Sequence, residues 1–166
     1  KDSVLALHKA FWLGVRVDLL ITMAPKSRDS YMFHYPNIGF TKLQAEALGI
    51  RQVLVETEGA KEEELYDLEE ALAKNNVATI VTGAIASRYQ ADRINKIASK
   101  LGIEHIAPLW HMDQMEELKE VAKNFEAIIT SVSAEGLDES FLGRKIDDAV
   151  VGRIGEISRK YGINPA

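Results

Sequence analysis

The chain has no cysteine. That excludes a disulfide framework, a zinc–thiolate site and a cysteine nucleophile. It has no basic excess either: 20 Lys and Arg stand against 25 Asp and Glu, for a formal net charge of −5. A dedicated nucleic-acid surface usually shows the opposite balance, so nucleic acid is disfavoured as a partner. A small anionic ligand is not disfavoured, because a few positioned donors can hold a phosphate on an acidic protein. Long apolar runs are missing too. Val15 to Met23 is among the longest, and it carries charges and is too short to span a bilayer. No signal-peptide pattern is visible and no membrane partner is expected, which with the lack of cysteine fits a cytoplasmic protein. The histidines, at positions 8, 34, 105 and 111, lack metal-ligand spacing such as i, i+4 on one helix.

What is present is the composition of an ordinary globular chain: 166 residues, 46% hydrophobic and 27% charged. That length suits one domain with room for a small second lobe. Helix and strand patterns alternate. In "KDSVLALHKAF", Val4, Leu7 and Phe11 share one helical face, in a helix from about Asp2 to Leu13. The segment 17–22 is a β-prone run. Asn37 or Thr41 can cap a helix carrying Leu43, Ala47 and Leu48 and ending at Gly49. "RQVLVET" is the next strand, followed by a helix with Leu65, Leu68 and Leu72 on one face and the acidic run Glu62–Glu64 as its solvated start. "VATIVTG" and "IEHIAPL" flank a helix whose core face is Ile94, Ile97, Ala98 and Leu101, closed by Gly102. Met115, Leu118, Ala122 and Phe125 mark another helix, "EAIITSVS" a fifth strand, and Ile146, Val150, Ile154, Ile157 and Tyr161 a last helix.

Apolar strands separated by helices of ten or more residues imply an α/β fold: a doubly wound, mostly parallel sheet covered by helices on both faces. Ligands in such sheets bind beyond the carboxyl ends of the strands. That rule singles out the loops before Lys1, after Thr22, after Thr82 and after Ser133.

Three of those places carry candidate chemistry. At Lys1-Asp2-Ser3, first-turn amides and the helix dipole favour an anion, the lysine adds a mobile charge and the serine a hydroxyl donor. The same residues also read as an ordinary helix start capped by Asp2 or Ser3. In "TGAIASRYQADRI", Gly83 ends a strand and permits close backbone approach, Ser87 is a cap, and Gln90 and Arg93 share a helical face. In "SAEGLDESFLGRKID", Asp138 and Glu139 also read as turn and cap residues. Of the histidines, His8 reads as structural, His105 as packed in a strand, His111 as a loop-rim residue, and His34 as either a loop-surface or a site-rim residue.

Three stretches in order, Gly-Ala-Ile-x-Ser-x-Tyr-Gln-x-x-Arg at 83–93, "YMFHYPNIGFTKLQAEALGI" and Glu-Gly-Leu-Asp with its trailing Leu-Gly-Arg, resemble signatures of the diphthine–ammonia ligase (diphthamide synthetase) family. Lys1-Asp2-Ser3 resembles the end of the Ser-Gly-Gly-Lys-Asp-Ser loop of PP-loop ATP pyrophosphatases, the larger group to which that family belongs. The resemblance implies a first strand and Ser-Gly-Gly ahead of Lys1 and a tail beyond Ala166. It implies an ATP-binding PP-loop part at 1–104 and a smaller substrate-side lobe at 105–166. It implies ATP as substrate, with Mg2+, and amidation of diphthine on translation elongation factor 2 by ammonium through an acyl-adenylate, releasing AMP and pyrophosphate. A homo-oligomer is compatible with it.

Carried over residue by residue, the resemblance implies Lys1, Asp2 and Arg93 as catalytic. Nucleotide contacts would come from Lys1, Asp2, Ser3, Thr22, Met23, Gly83, Ala84, Ser87 and Gln90. The diphthine side would be His34, Glu135, Gly136, Leu137 and Asp138, with Asp138 facing the quaternary ammonium. Other readings keep the fold but change the outcome. One is adenylation of another acceptor such as a tRNA base; another is a non-catalytic adenine-nucleotide sensor.

Overall fold

A computed structural model describes residues 1–26, 30, 32–33, 36–60 and 62–165. Its elements alternate as the periodicity predicts. Helix α1 (Asp2–Trp12) precedes strand β1 (Leu19–Pro25), then α2 (Thr41–Leu48), β2 (Arg51–Thr57), α3 (Glu63–Lys74) and β3 (Thr79–Val81). Next come α4 (Arg88–Leu101), β4 (Glu104–Ile106), α5 (Gln114–Asn124) and α6 (Asp148–Tyr161). Short 3-10 turns cover Ile38–Phe40 and Glu139–Phe141.

The ladders are parallel, so the class is α/β. β1 lies beside β2 from Leu19 opposite Arg51 to Pro25 opposite Thr57. β3 lies beside β4 from Thr79 opposite Glu104 to Val81 opposite Ile106. Among the described residues these are two separate pairs with no ladder joining β1 to β3, where the alternation predicts one continuous sheet. Both β1 and β2 contact α3, β4 contacts α4 and β3 contacts α1, so helices cover both pairs.

The fifth expected strand is not part of either pair. Residues 126–133 make a single antiparallel bridge, Ile128 to Lys145. Their backbone groups are satisfied by the segment that returns from the next loop: Ile129 N–H donates to Arg144 O at 2.9 Å, Gly143 N–H to Ile129 O at 2.8 Å and Ile146 N–H to Ala127 O at 2.8 Å. The edge of the run that carries Ala127 O and both Ile129 groups is thereby taken by an antiparallel neighbour in place of a parallel strand.

Two apolar clusters form the core. The first joins Leu5 and Ala6 of α1 and Ile85 to Leu118 and Val121 of α5, Phe141, and Val150, Val151 and Ile154 of α6. It therefore binds the first helix to the last two, 100 or more positions away in the chain. Phe141 is fully buried at its centre, and truncation of such a ring costs about 3–5 kcal/mol. The second cluster packs Met23 and Met32 against Leu68 and Leu72 of α3 and Ile94 and Ile97 of α4.

Two helices differ from their expected faces. On α2 the buried residue is Ala45, while Leu43 is 58% and Leu48 36% exposed. On α3 the acidic start is not wholly solvated: Glu64 is fully buried. No helix among the described residues is long and apolar enough to cross a membrane.

Candidate active site

The site is assembled around the first turn of α1. Lys1 occupies the N-cap position and its carbonyl accepts from Leu5 N–H at 2.9 Å. Among the described residues no side chain caps this end, so neither Asp2 nor Ser3 plays the capping role open to it. The first-turn amides are therefore left for another acceptor. Gly83, two residues beyond β3, lies directly against this turn. A Cβ built on Gly83 would sit 2.6 Å from Ser3 N and 2.7 Å from the Asp2 carbonyl carbon. Only glycine lets the two backbones meet so closely.

A third chain segment completes the cluster. The Lys1 ammonium lies 2.5 Å from Asp2 Oδ1 and 3.2 Å from Glu117 Oε1 on α5. Glu117 is fully buried beside Asp2, and among the described residues its Oε2 makes no hydrogen bond of ordinary geometry. Burial first, and the neighbouring Asp2 charge second, push the Glu117 carboxyl up to about 7, against the pull of Lys1. Burial also works to raise Asp2, but the charge and hydrogen bond of Lys1 lead the opposing effects that hold it below its ordinary value. Two carboxylates thus compete for one ammonium, and the more exposed of them keeps its charge.

Around the second core cluster, the side chain of Met23 is buried among apolar neighbours, and its residue lies opposite Val55 in the β1–β2 ladder. The Thr22 hydroxyl accepts from Gln52 Nε2 at 2.8 Å, and Gln52 also donates to the Thr41 hydroxyl at 2.9 Å. Ala84 is buried beside Gly83. Ser87 caps α4, its hydroxyl accepting from Gln90 N–H at 3.3 Å. Gln90 Nε2 donates to Met32 O at 3.3 Å. Arg93 pairs with Glu62 and stacks on the Tyr89 ring at 3.5 Å.

The segment that includes Ser30, Met32 and Phe33 is held from below by Glu64. Ser30 Oγ donates to Glu64 Oε2 at 2.6 Å and Met32 N–H to Oε1 at 3.2 Å. These bonds are why an acid at the start of α3 is buried rather than solvated. His34, predicted for the substrate rim, lies outside the described residues.

The Glu135–Asp138 loop rests on α6. Gly136 has φ +83°, and a Cβ there would sit 2.6 Å from the Tyr161 ring. Leu137 packs against the first core cluster while Glu135 points into solvent. Asp138 caps the 3-10 turn, accepting from Ser140 N–H at 2.9 Å, and its hydrogen bonds to Ser140 hold its carboxyl below the usual range. The remaining histidines are accounted for locally. His8 meets Phe125 edge to face at 4.7 Å, His105 bridges Thr82 at 2.8 Å and Asn95 at 2.7 Å, and His111 N–H donates to Ile85 O at 2.8 Å.

The fold therefore brings Lys1, Asp2, Ser3 and Gly83 together. It gathers Gln90, Arg93, Ser30 and Met32 around the α3–α4 junction, and keeps 135–138 on α6. Sequence reasoning missed Glu117 and Glu64. Each carries one signal, an acid on the apolar side of its helix: Glu117 lies four residues before Val121, and Glu64 four before Leu68.

The chain is similar to proteins of one family along nearly its whole length. Residues 1–105 match the family model described as the diphthamide synthase N-terminal domain, and residues 113–166 match the diphthamide synthase C-terminal domain. The human protein named diphthine–ammonia ligase is 30% identical over 99% of this chain and 70% of its own length. The Bos taurus protein of the same name is 31% identical with the same coverage. Among solved structures, a protein described as a predicted subunit of tRNA methyltransferase from Methanocaldococcus jannaschii aligns with a TM-score of 0.47 at 15% identity, over 99% of this chain and 85% of that one. With both domain models matched in order along nearly all its length, the chain belongs to the diphthamide synthase family.

Proposed function

We propose that this chain forms diphthamide from diphthine on translation elongation factor 2, using ATP and ammonium, through an acyl-adenylate. A carboxylate is a poor acceptor for an amine. Attack of the diphthine carboxylate on the α-phosphorus of ATP makes a mixed anhydride and expels pyrophosphate. Ammonium gives up a proton, and the resulting ammonia attacks the acyl carbon, displaces AMP and sheds a second proton as the amide forms. The protein must hold the triphosphate, aim the carboxylate and keep water from the adenylate.

The observation that carries this reading is the packing of Gly83 against the open first turn of α1, with Lys1 and Asp2 at its edge. Such a turn is a phosphate cradle, and Lys1 offsets charge growing on the departing pyrophosphate. In this reading Ser3, Gly83, Ala84 and Ser87 line the phosphates and ribose, and Thr22 and the Met23 backbone face the adenine. Gln90 and Arg93 meet the adenylate or the incoming carboxylate, and Glu135 to Asp138 receive diphthine. Residues 1–104 are the nucleotide part and 105–166 the substrate-side lobe.

Magnesium travels with the triphosphate. The Lys1 ammonium fills the space between Asp2 and Glu117, and no group of three or more ligating side chains occurs among the described residues. A magnesium ion would be held chiefly by the phosphate oxygens and water. The test is release of AMP and pyrophosphate by the full-length enzyme on mixing with ATP, ammonium and diphthine-bearing elongation factor. Lys1→Ala and Arg93→Ala should each abolish it with the fold intact; undiminished turnover in both removes the assignment.

A further inference from the structure

The Glu117 carboxylate is fully buried on α5, 3.2 Å from Lys1, with one oxygen making no hydrogen bond of ordinary geometry among the described residues. It takes no part in the chemistry above. The charged groups that face it are Lys1 and Asp2 of α1. Further along the same interface, Lys9 is paired with Glu120 and His8 is spent on Phe125. From α6, Asp148, Glu156 and Arg159 line a groove with Met115 and Lys119 instead.

With both acids ionised, two negative charges surround one ammonium, and the cradle is net negative toward an incoming triphosphate. Lys1 is also held inward by both. With a proton on Glu117 the local charge is balanced by Asp2 alone. The protonated acid can donate to the Asp2 carboxylate, and Lys1, then held by Asp2 alone, can turn to phosphate.

We propose that Glu117 is a proton-linked positioning residue: it takes up a proton from solvent as a nucleotide triphosphate binds, and so releases Lys1 to the phosphates. This rests on the triphosphate site assigned above. The poise of Glu117 near neutrality, set by burial and by Asp2, puts the exchange in the physiological range.

The experiment is calorimetric titration of the full-length enzyme with magnesium–ATP, without ammonium or acceptor. It is run from pH 6 to 8.5 in buffers of differing ionisation enthalpy. Wild type should take up roughly half a proton or more per ATP near pH 7.5, with affinity falling toward tenfold per pH unit above about pH 8. In the isosteric Glu117→Gln, that uptake should vanish and the decline should flatten, so the variant binds more tightly than wild type at pH 8.5. Ionisation of ATP itself is common to both proteins and cancels in the comparison.

Asp2→Asn tests the same idea without touching Glu117. Removing the like charge should move the midpoint of the decline to lower pH. An unchanged uptake and slope in a folded Glu117→Gln overturns the proposal. Lys1→Ala separates the two levels: a loss of tenfold or more at every pH keeps the triphosphate site even if the Glu117 part fails. Wild-type affinity in Lys1→Ala removes the site, and this proposal with it.

Discussion

The Glu117 carboxylate accepts a hydrogen bond from the Lys1 ammonium at 3.2 Å, joining α5 to the first turn of α1 across 116 positions of sequence. The contact links the segments matched by the two family domains. Beside it, Lys9 and Glu120 make a second ion pair at 2.8 Å between the same helices.

This buried acid predicts a pH dependence of stability. Its carboxyl stands near 7 in the folded chain, against an ordinary value of 4.5. Between those values the folded state holds the proton more tightly than the unfolded one. Stability is therefore greatest at the acid side of the window and falls as pH rises through about 7, by roughly 3 kcal/mol from this group alone. Asp2 works the other way in a lower window, because its depressed carboxyl loses stabilisation only as pH falls below its ordinary range. Urea midpoints at pH 5 and 7.5 should show the decline in wild type and a clearly smaller one in Glu117→Gln; equal declines contradict the assignment.

Gly83→Ala should disable the protein, since the added carbon meets backbone atoms of Asp2 and Ser3 that have no rotamer to escape into. Overpacking of this kind costs about 1–3 kcal/mol, and the cradle itself is displaced. Gly152→Ala is the control. It lies in α6 with nothing within 4 Å of the new carbon, so thermal melting should show a gain of about 0.5–1 kcal/mol with ATP turnover retained.

Gly136→Ala combines two costs, a left-handed φ of +83° and a collision with the Tyr161 ring. Together they should destabilise by about 2–4 kcal/mol. Tyr161→Ala in the same chain should restore the ring's part of the steric share, leaving the left-handed φ and a contact with Ile157 Cγ2 at 2.9 Å. A double-mutant cycle by denaturant unfolding measures the coupling, and strict additivity of the two changes contradicts the contact.

Glu64→Ala should cost about 2–3 kcal/mol because Ser30 Oγ and Met32 N–H lose a buried acceptor. Glu63→Ala, one position away and exposed, should fall within about 0.5 kcal/mol of wild type. Equal effects of the two, read from urea unfolding, contradict the burial difference.

The helices were legible because their apolar residues recur with helical spacing: Ile94, Ile97 and Ala98 on α4, and Val150 and Ile154 on α6, are buried as that spacing requires. Leu43 and Leu48 fit the same rule on α2 yet are exposed, since a short helix can turn its small Ala45 inward instead. Segment 126–133 has strand composition, but a β-prone run does not say which backbone it meets, and here the partner is 143–146. In the candidate site, the motifs named Lys1, Asp2 and Gly83 separately; that Gly83 touches Asp2 and Ser3 follows from topology. Glu64 and Glu117 were hidden for one reason. An acid in the first turn of a helix is ordinarily solvated and dipole-stabilised, and its burial depends on partners distant in sequence, Ser30 and Met32 for one and Lys1 for the other.

The most direct measurement is a crystal structure of the full-length enzyme with an ATP analogue that resists cleavage between the α- and β-phosphates. The triphosphate should rest on the Asp2 and Ser3 amides beside Gly83, with the Lys1 ammonium turned from Glu117 to a phosphate oxygen. An analogue bound away from this turn at saturating concentration, or a Lys1 still paired with both carboxylates beneath a bound triphosphate, would contradict it.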